Sequence, residues 1–247
     1  SSIQEGPAAD EENIASFQIP EEIINYIMQS DPGSGERYIE LYMEMLVQLD
    51  VQTSFQAEIE RLIKLGYTVP DLLTAYTFLN DAYGKIEELE QLCMKKKSGK
   101  GWAEIFTEYN RDSGEFIPSS FEPEYIEELM ESSLVTADDI MMTDRVCQNT
   151  GSDFKVVIMD RMDGFTWKAI NEKLGIVNSQ SQLPRVQVTK GQIEKFKASS
   201  GLSENQIVEA FVISQKLNKE IEGIIDKVKE GYSQEHIYAR CYQDKFY

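Results

Sequence analysis

Three short stretches of the sequence begin a helix in the same way: Tyr67–Leu72 (YTVPDL), Val135–Ile140 (VTADDI) and Leu202–Ile207 (LSENQI). In each stretch the second residue is a Thr or Ser placed to cap a helix, and the apolar first and last residues have the spacing of a hydrophobic staple. The third stretch has the Gln of a capping box at position N3, whereas the first two have an Asp there, which favours the helix dipole. Three equivalent helix starts predict an all-α protein built from repeated units.

Self-comparison of the chain supports such a repeat. A shift of 67 residues places Ile126–Leu174 on Ile193–Cys241 without a gap and with nine identities in 49 pairs, where ordinary residue usage would give about three. An earlier copy is found in 59–109 if a one-residue deletion and a three-residue insertion are allowed at turns, where length changes are tolerated. Each unit is predicted to contain four consecutive helices. The buried anchors of the last helices are predicted to be Trp102, Ile105, Trp167, Ile170 and Ile237.

The predicted fold is an all-α, right-handed array of about three related multi-helix units, with a period of about 67 residues and an N-terminal helical cap. The predicted segments are a flexible acidic tail (1–15), the cap (16–55) and three repeats (56–110, 121–176 and 190–247). Turn-forming residues predict connections at Asn110–Phe121 and Val177–Lys190. The only short alternation of a β-strand type is Val186–Val188.

The composition excludes several classes of protein. The chain has 247 residues, and its 43 Asp and Glu outnumber its 24 Lys and Arg, for a formal net charge of −19. A hydrophobic fraction of 41% is typical of a globular protein rather than a disordered one. No run of 18 apolar residues predicts a transmembrane segment. Because the negative charge repels phosphate backbones, nucleic acid is disfavoured as a partner.

The sequence offers no local motif for catalysis or metal binding. Cys93, Cys147 and Cys241 are far apart and form no CxxC pair, which predicts free thiols rather than disulfides or a zinc site. The nucleotide-binding, metalloprotease and serine-hydrolase motifs GxGxxG, GxxxxGK[ST], HExxH and GxSxG do not occur. The adjacent carboxylates Asp138 and Asp139 fit the first turn of a helix better than acid–base chemistry. We therefore assign no catalytic, cofactor-binding or metal-binding residue.

One basic cluster stands out in this acidic chain. Lys95, Lys96, Lys97 and Lys100 lie together in the segment that contains the three-residue insertion. They are a candidate interaction loop, which would either hold an acidic partner or pair with acidic residues of the same molecule.

A resemblance is limited to the segment Gly164–Ile176 (GFTWKAINEKLGI). Its pattern G-x-[TS]-W-x-x-I resembles segments that recur in uncharacterised helical proteins of bacteria, often secreted or surface-attached. The resemblance implies a helical array and a bacterial source, and it brings no assigned activity. In the last unit Gln234 replaces the Trp. The Trp167 helix also resembles the first half of a DNA-binding helix-turn-helix, although no basic second helix follows it.

The hypothesis that we favour is a non-enzymatic protein-interaction or scaffold module, because stacked helical units present extended surfaces to other proteins. The alternatives are a DNA-associated regulator of the helix-turn-helix kind and an enzyme without any local motif. We expect a protein partner and no cofactor. The sequence does not determine the compartment. The absence of an initiator Met and the resemblance favour a secreted or cell-surface protein with its leader removed.

Overall fold

The computed structural model describes residues 17–247 and places them in fourteen helices. These are α1 (Glu21–Ser30), α2 (Gly35–Gln48), α3 (Thr53–Lys64), α4 (Val69–Ala82), α5 (Glu88–Lys97), α6 (Trp102–Ser113), α7 (Pro123–Glu131), α8 (Ala137–Thr150), α9 (Phe154–Met162), α10 (Trp167–Leu174), α11 (Lys190–Ser200), α12 (Glu204–Leu217), α13 (Ile221–Lys229) and α14 (Gln234–Phe246). The predicted all-α class is confirmed for these residues. The predicted acidic tail, 1–15, lies outside them. None of the described helices is long and apolar enough to cross a lipid bilayer.

The predicted helix starts are confirmed at α4, α8 and α12. The hydroxyl groups of Thr68, Thr136 and Ser203 each accept a hydrogen bond from the backbone N–H three residues further on. Thr136 and Ser203 belong to complete capping boxes, and Asp139 closes the first of these boxes. Each such cap stabilises its helix by about 1 kcal/mol.

One predicted boundary was wrong, and one strand-like segment did not form a strand. Helix α6 runs to Ser113, so the connection that follows it begins at Gly114 rather than at Asn110. The residues near Asn110 keep helical backbone angles. The first residue after Asn110 with a positive φ is Gly114, at 71°, and the helix ends there. Val186–Val188 is also not a strand. The only β-bridge among residues 17–247 is instead an isolated antiparallel pair between Lys85 and Ile176.

We refer to α3–α6 as group 1, to α7–α10 as group 2 and to α11–α14 as group 3. The largest core takes side chains from α1–α6 and from α11–α14, and α14 packs against α4 and α6. Groups 1 and 3 therefore share a core although group 2 separates them in sequence. Group 2 supplies most of two smaller cores. This packing differs from a linear stack, in which each unit contacts only its neighbours in sequence.

A buried carboxylate links three helices of group 2, α8, α9 and α10. The Trp167 indole N–H donates to Asp139 Oδ1 at 2.8 Å, and Arg161 Nε donates to the same oxygen at 3.0 Å. The backbone N–H of Thr136 donates to Asp139 Oδ2 at 2.9 Å. Burial by itself raises the pKa of the Asp139 carboxyl, but these three donors outweigh burial and hold its pKa below the ordinary value. Asp139 therefore caps α8 and also anchors α10 through Trp167.

Group 1 makes a related connection through a tyrosine. The Trp102 indole N–H donates to the Tyr247 hydroxyl at 2.9 Å, and that hydroxyl donates to the Asp71 carboxylate. Gln206 and Gln234 occupy the corresponding sequence positions in group 3. The contact between carboxylate and indole is therefore direct in group 2, indirect in group 1 and absent from group 3.

Replacing Asp139 by Asn should destabilise the protein by about 1.5–3 kcal/mol at neutral pH, because the carboxylate accepts charge-assisted hydrogen bonds. Because folding lowers the pKa of Asp139, the stability gained from its charge is present above the unfolded pKa of about 3.9. That stability is lost as pH falls through the lower folded pKa. Urea unfolding at several pH values should therefore show that the free energies of unfolding of the wild type and of Asp139→Asn converge in acid.

The matched control is Asp138→Asn, because Asp138 forms a surface ion pair with Arg185 and such pairs contribute about 0–1 kcal/mol. An Asp139→Asn variant no less stable at pH 7 than Asp138→Asn would contradict the proposed anchoring role of Asp139.

The three cysteines are free thiols, as the sequence predicted. Cys93 and Cys147 are buried and Cys241 is half-buried. Burial raises the pKa of the Cys93 thiol well above its ordinary value and that of Cys147 to about 11.

A thiol-reactive disulfide reagent at pH 7.5 should therefore modify Cys241 first and Cys93 only as the protein unfolds, since the thiolate is the reactive form. Mass spectrometry of the time course would give the order of modification, and three thiols should react in denaturant. Modification of native Cys93 as fast as Cys241 would show that this part of the core opens readily.

Candidate functional site

A cleft of about 700 Å³ lies where the three groups meet. It is walled by the C-terminal ends of α4, α6, α8 and α12, by α14 and by the connection that follows α6. The lining residues include Phe78, Asp81, Tyr83, Lys85, Glu88, Tyr109, Ser113, Glu115, Phe116, Arg145, Asn149, Val212, Lys216, Gln234, Tyr238 and Tyr242. The volume is within the range of pockets that bind small molecules.

One side of the cleft is formed by the end of α4, whose last carbonyl groups lack partners within the helix. The side-chain amide of Asn178 donates to the carbonyl of Asn80 at 2.9 Å. The side-chain amide of Asn149 donates to the carbonyl of Tyr83, also at 2.9 Å. Group 2 and the segment that follows it therefore supply donors that the end of α4 requires.

The short bridge beside the cleft continues this attachment. The backbone N–H of Val177 donates to the carbonyl of Gly84 at 3.0 Å, and that of Ile86 donates to the carbonyl of Gly175 at 2.8 Å. These two hydrogen bonds hold the residues after α10 against the residues after α4.

Arg145 is held in the cleft by aromatic rings. Its guanidinium carbon lies 4.4 Å from the centroid of the Tyr83 ring and 5.7 Å from that of Phe116. The backbone N–H and the hydroxyl of Ser119 both donate to the Asp144 carboxylate, at 2.8 and 2.7 Å, and so tie the Phe116 segment to α8. Partial burial lowers the pKa of the Arg145 guanidinium from its ordinary value. The side chain is thus positioned but incompletely solvated.

A second cation, Lys216, reaches the cleft from the last turn of α12. It contacts solvent, yet the surrounding protein replaces part of its water and lowers the pKa of the ammonium group. The nearby charge of Asp81 opposes this decrease, and that of Arg145 adds to it. Burial raises the pKa of the Asp81 carboxyl, which accepts a hydrogen bond from the Tyr242 hydroxyl at 2.8 Å.

Neither Arg145 nor Lys216 has an ion-pairing partner among residues 17–247. No described carboxylate oxygen lies within 4.0 Å of their charged nitrogen atoms. Other described lysines, such as Lys155 and Lys229, also lack a carboxylate partner, but Arg145 and Lys216 are the two such cations that line the cleft.

The basic cluster noted in the sequence lies elsewhere. Lys95, Lys96 and Lys97 form the last turn of α5 rather than a loop, and Lys100 follows that helix. The end of a helix favours basic side chains because its carbonyl groups carry partial negative charge. None of the four lysines lines the cleft.

These lysines are engaged with their own surface. Lys95 and Lys100 contact the Glu108 carboxylate at 3.2 and 2.6 Å. Hydrogen bonds from Lys100 and Lys95 lower the pKa of Glu108. The Lys96 ammonium lies 5.8 Å from the centroid of the Trp102 ring. Of the two interpretations left open by the sequence, the contacts favour pairing within the molecule.

The other predicted positions are structural. The predicted anchors Trp102, Ile105, Trp167, Ile170 and Ile237 are all buried. Large exposed apolar side chains are distributed unevenly among the three groups, since half of those found lie in group 2. These are Met130, Leu134, Met141, Val156, Met159 and Phe165.

No sequence motif marks the charged residues of the cleft. Asp81, Arg145, Lys216 and Tyr242 are far apart in the chain and belong to no motif. One available signal was their place in the repeat, because three of them lie near the C-terminal end of a unit's second helix. Without knowledge of how the units pack, that shared place does not indicate that the side chains meet.

Comparisons with protein-family models, with curated proteins and with solved structures found no match. Within the described part of the chain, no three His, Cys, Asp or Glu side chains are grouped in a way that would hold a metal ion.

Gly84 tests the close packing at the edge of the cleft. A Cβ atom at this position would lie 2.5 Å from Leu79 Cδ2 and 2.8 Å from the Tyr109 hydroxyl. Gly84→Ala should therefore destabilise the protein by about 1–3 kcal/mol in urea unfolding, as overpacking does.

The same change at Gly223, in α13, would meet no atom within 4 Å. Gly223→Ala should stabilise the protein by about 0.5–1 kcal/mol, because alanine loses less backbone entropy on folding. Equal effects of the two substitutions would contradict the steric argument.

Proposed function

We propose that this chain is a non-enzymatic protein-interaction module that binds a segment of a partner protein in the cleft between the three groups. The observation that carries the proposal is that all three groups contribute walls to this one cleft. Aromatic side chains such as Tyr109, Phe116 and Tyr238 line it, and aromatic residues and Arg are enriched at protein interfaces.

The proposal includes the repeated architecture expected from the sequence, a right-handed array with α1 and α2 as its N-terminal cap. Its support is that the four helices of group 3 each begin 67 residues after those of group 2. The paired starts are Pro123 and Lys190, Ala137 and Glu204, Phe154 and Ile221, and Trp167 and Gln234. The cap assignment is supported by the packing of α1 on α3 and of α2 on α4.

The repeat accounts for how the cleft is assembled. Asp81, Asn149 and Lys216 each stand two residues before the left-handed residue that ends the second helix of their unit, and all three line the cleft. One repeated position thus delivers an acid, an amide and an amine to a shared site. Differences at such a position give a binding surface its specificity while the scaffold stays the same.

No observation favours the two alternative functions. A helix-turn-helix joins its helices by a turn of about three or four residues, whereas α10 ends at Leu174 and α11 begins at Lys190. The polar groups of the cleft include cations, carboxylates, amides and tyrosine hydroxyls, which are groups that orient a polar ligand. We therefore propose one function only.

The test is to block the cleft without changing its charge. Ser113 lines the cleft at the exposed end of α6, so Ser113→Trp should fill part of it and abolish capture of the partner. The tagged wild-type chain and the variant would be incubated with a native extract, and the retained proteins would be compared by quantitative mass spectrometry.

The matched control is Thr107→Trp, which places the same ring on an exposed position of α6 outside the cleft lining. A protein retained by the wild type and by this control, but lost with Ser113→Trp, would support the proposal. Identical sets of retained proteins for all three chains would refute the cleft as the binding site.

A further inference from the structure

We infer that Arg145 and Lys216 together bind one oxyanion group, a carboxylate or a phosphate, of the ligand that enters the cleft. The inference names the chemistry of the site and rests on the proposed binding role of the cleft. Both side chains carry donors suited to such groups. Arg offers a planar fork of N–H groups, and Lys offers a compact charge.

In the cleft, two of the carboxylates have hydrogen-bond donors, whereas the cations Arg145 and Lys216 have no described acceptor. Among its carboxylates, Asp81 accepts from Tyr242 at 2.8 Å, and Glu88 accepts from the backbone N–H of Lys85 at 2.7 Å and from Tyr109 at 3.0 Å. Arg145 and Lys216 have no hydrogen bond or ion pair to another described residue. The cleft can therefore accommodate a negatively charged hydrogen-bond acceptor from a ligand.

The end of α4 carries partial negative charge, as the C-terminal ends of helices do. The carbonyls of Asn80, Tyr83 and Gly84 already accept hydrogen bonds from group 2 and the segment after it. The exposed carboxylate that remains at the cleft is Glu115, in the connection after α6.

Arg145 is also prepared for a ligand before one binds. Its guanidinium lies against the rings of Tyr83 and Phe116, so less side-chain entropy is lost when its N–H groups engage an acceptor. Removal of water from both cations is consistent with their lowered pKa values. A bound oxyanion would offset that loss of hydration.

The overall charge of the chain limits the size of the anionic part. Its net charge of −19 repels a long polyanion, whose many charges cannot all approach two cations. At physiological salt, charges farther than about 8 Å apart are largely screened. A single carboxylate or phosphate inside the cleft is therefore influenced mainly by the charged groups that line it, Arg145 and Lys216 among them. This favours an acidic side chain or phosphorylated residue of a protein over a nucleic acid.

The test uses small oxyanions as probes. The thermal midpoint of the full chain would be measured with sodium phosphate, with succinate and with sodium chloride at equal ionic strength. A probe at ten times its Kd should raise the midpoint by about 3–6 °C relative to chloride. The probe that gives the larger shift identifies the preferred group.

Lys216→Gln should abolish most of this shift, and so should Arg145→Gln. Lys216 is exposed, so its substitution leaves the fold testable even if loss of Arg145 impairs folding. The matched control, Lys229→Gln, removes an exposed lysine from the last turn of α13 and should retain the shift. Non-specific stabilisation by phosphate would act on all these proteins alike.

An equal shift in the wild type, Lys216→Gln and Lys229→Gln, or no shift with either probe, would overturn the inference. The two proposals fail separately, because Ser113→Trp tests entry to the cleft without altering charge. Loss of partner capture by Ser113→Trp without any probe shift would leave the proposed function and remove the oxyanion site.

Discussion

The carboxyl end of α4 is the point on which the arrangement of the three groups depends. A helix end leaves carbonyl groups without partners, and burying them unpaired would cost free energy. Here the backbone N–H groups of Tyr83 and Gly84 donate to the Asn80 and Leu79 carbonyls, and further donors come from group 2 and the segment after it. Asn149 and Asn178 donate side-chain amides, and Val177 donates its backbone N–H. Satisfying one helix end therefore attaches group 2 to group 1.

The same helix end also receives group 3, through a different kind of contact. Tyr242 of α14 donates to Asp81, and its ring packs edge-on against that of Phe106 in α6. Phe106 in turn stacks on Phe78 of α4, with ring centroids 4.0 Å apart. Hydrogen bonds thus join group 2 to the end of α4, whereas one hydrogen bond and a shared aromatic core join group 3. The cleft lies between these two attachments.

Several basic side chains form ion pairs within the protein. Lys95 and Lys100 flank Glu108, and Arg161 contributes to the buried contacts of Asp139. Arg145 and Lys216 differ because they line the cleft without an ion pair, with the Tyr83 and Phe116 rings against Arg145 and the Asp81 carboxylate near Lys216. Two cations that line one cleft raise the local positive potential there, in a protein that is otherwise acidic.

Much of the local structure could be derived from the sequence. Caps such as Thr136 and Ser203 act on residues three positions away, so their geometry follows from spacing alone. The buried stripes of Trp167 and Ile170 follow from helical periodicity in the same way. The end of α6 was placed too early because asparagine, the residue at position 110, is common in turns. The helix in fact continues to Ser113 and ends at Gly114, which has a positive φ.

The meeting of the groups depends on contacts between residues more than a hundred positions apart, such as Tyr242 with Asp81. No local pattern encodes such a contact, because hydrophobic burial has no direction and many packings satisfy the same stripe. The sequence by itself determined the helices, their caps and the acidic charge. Only the tertiary structure decided that Arg145 and Lys216 face one cleft, because it alone specifies which helix ends converge.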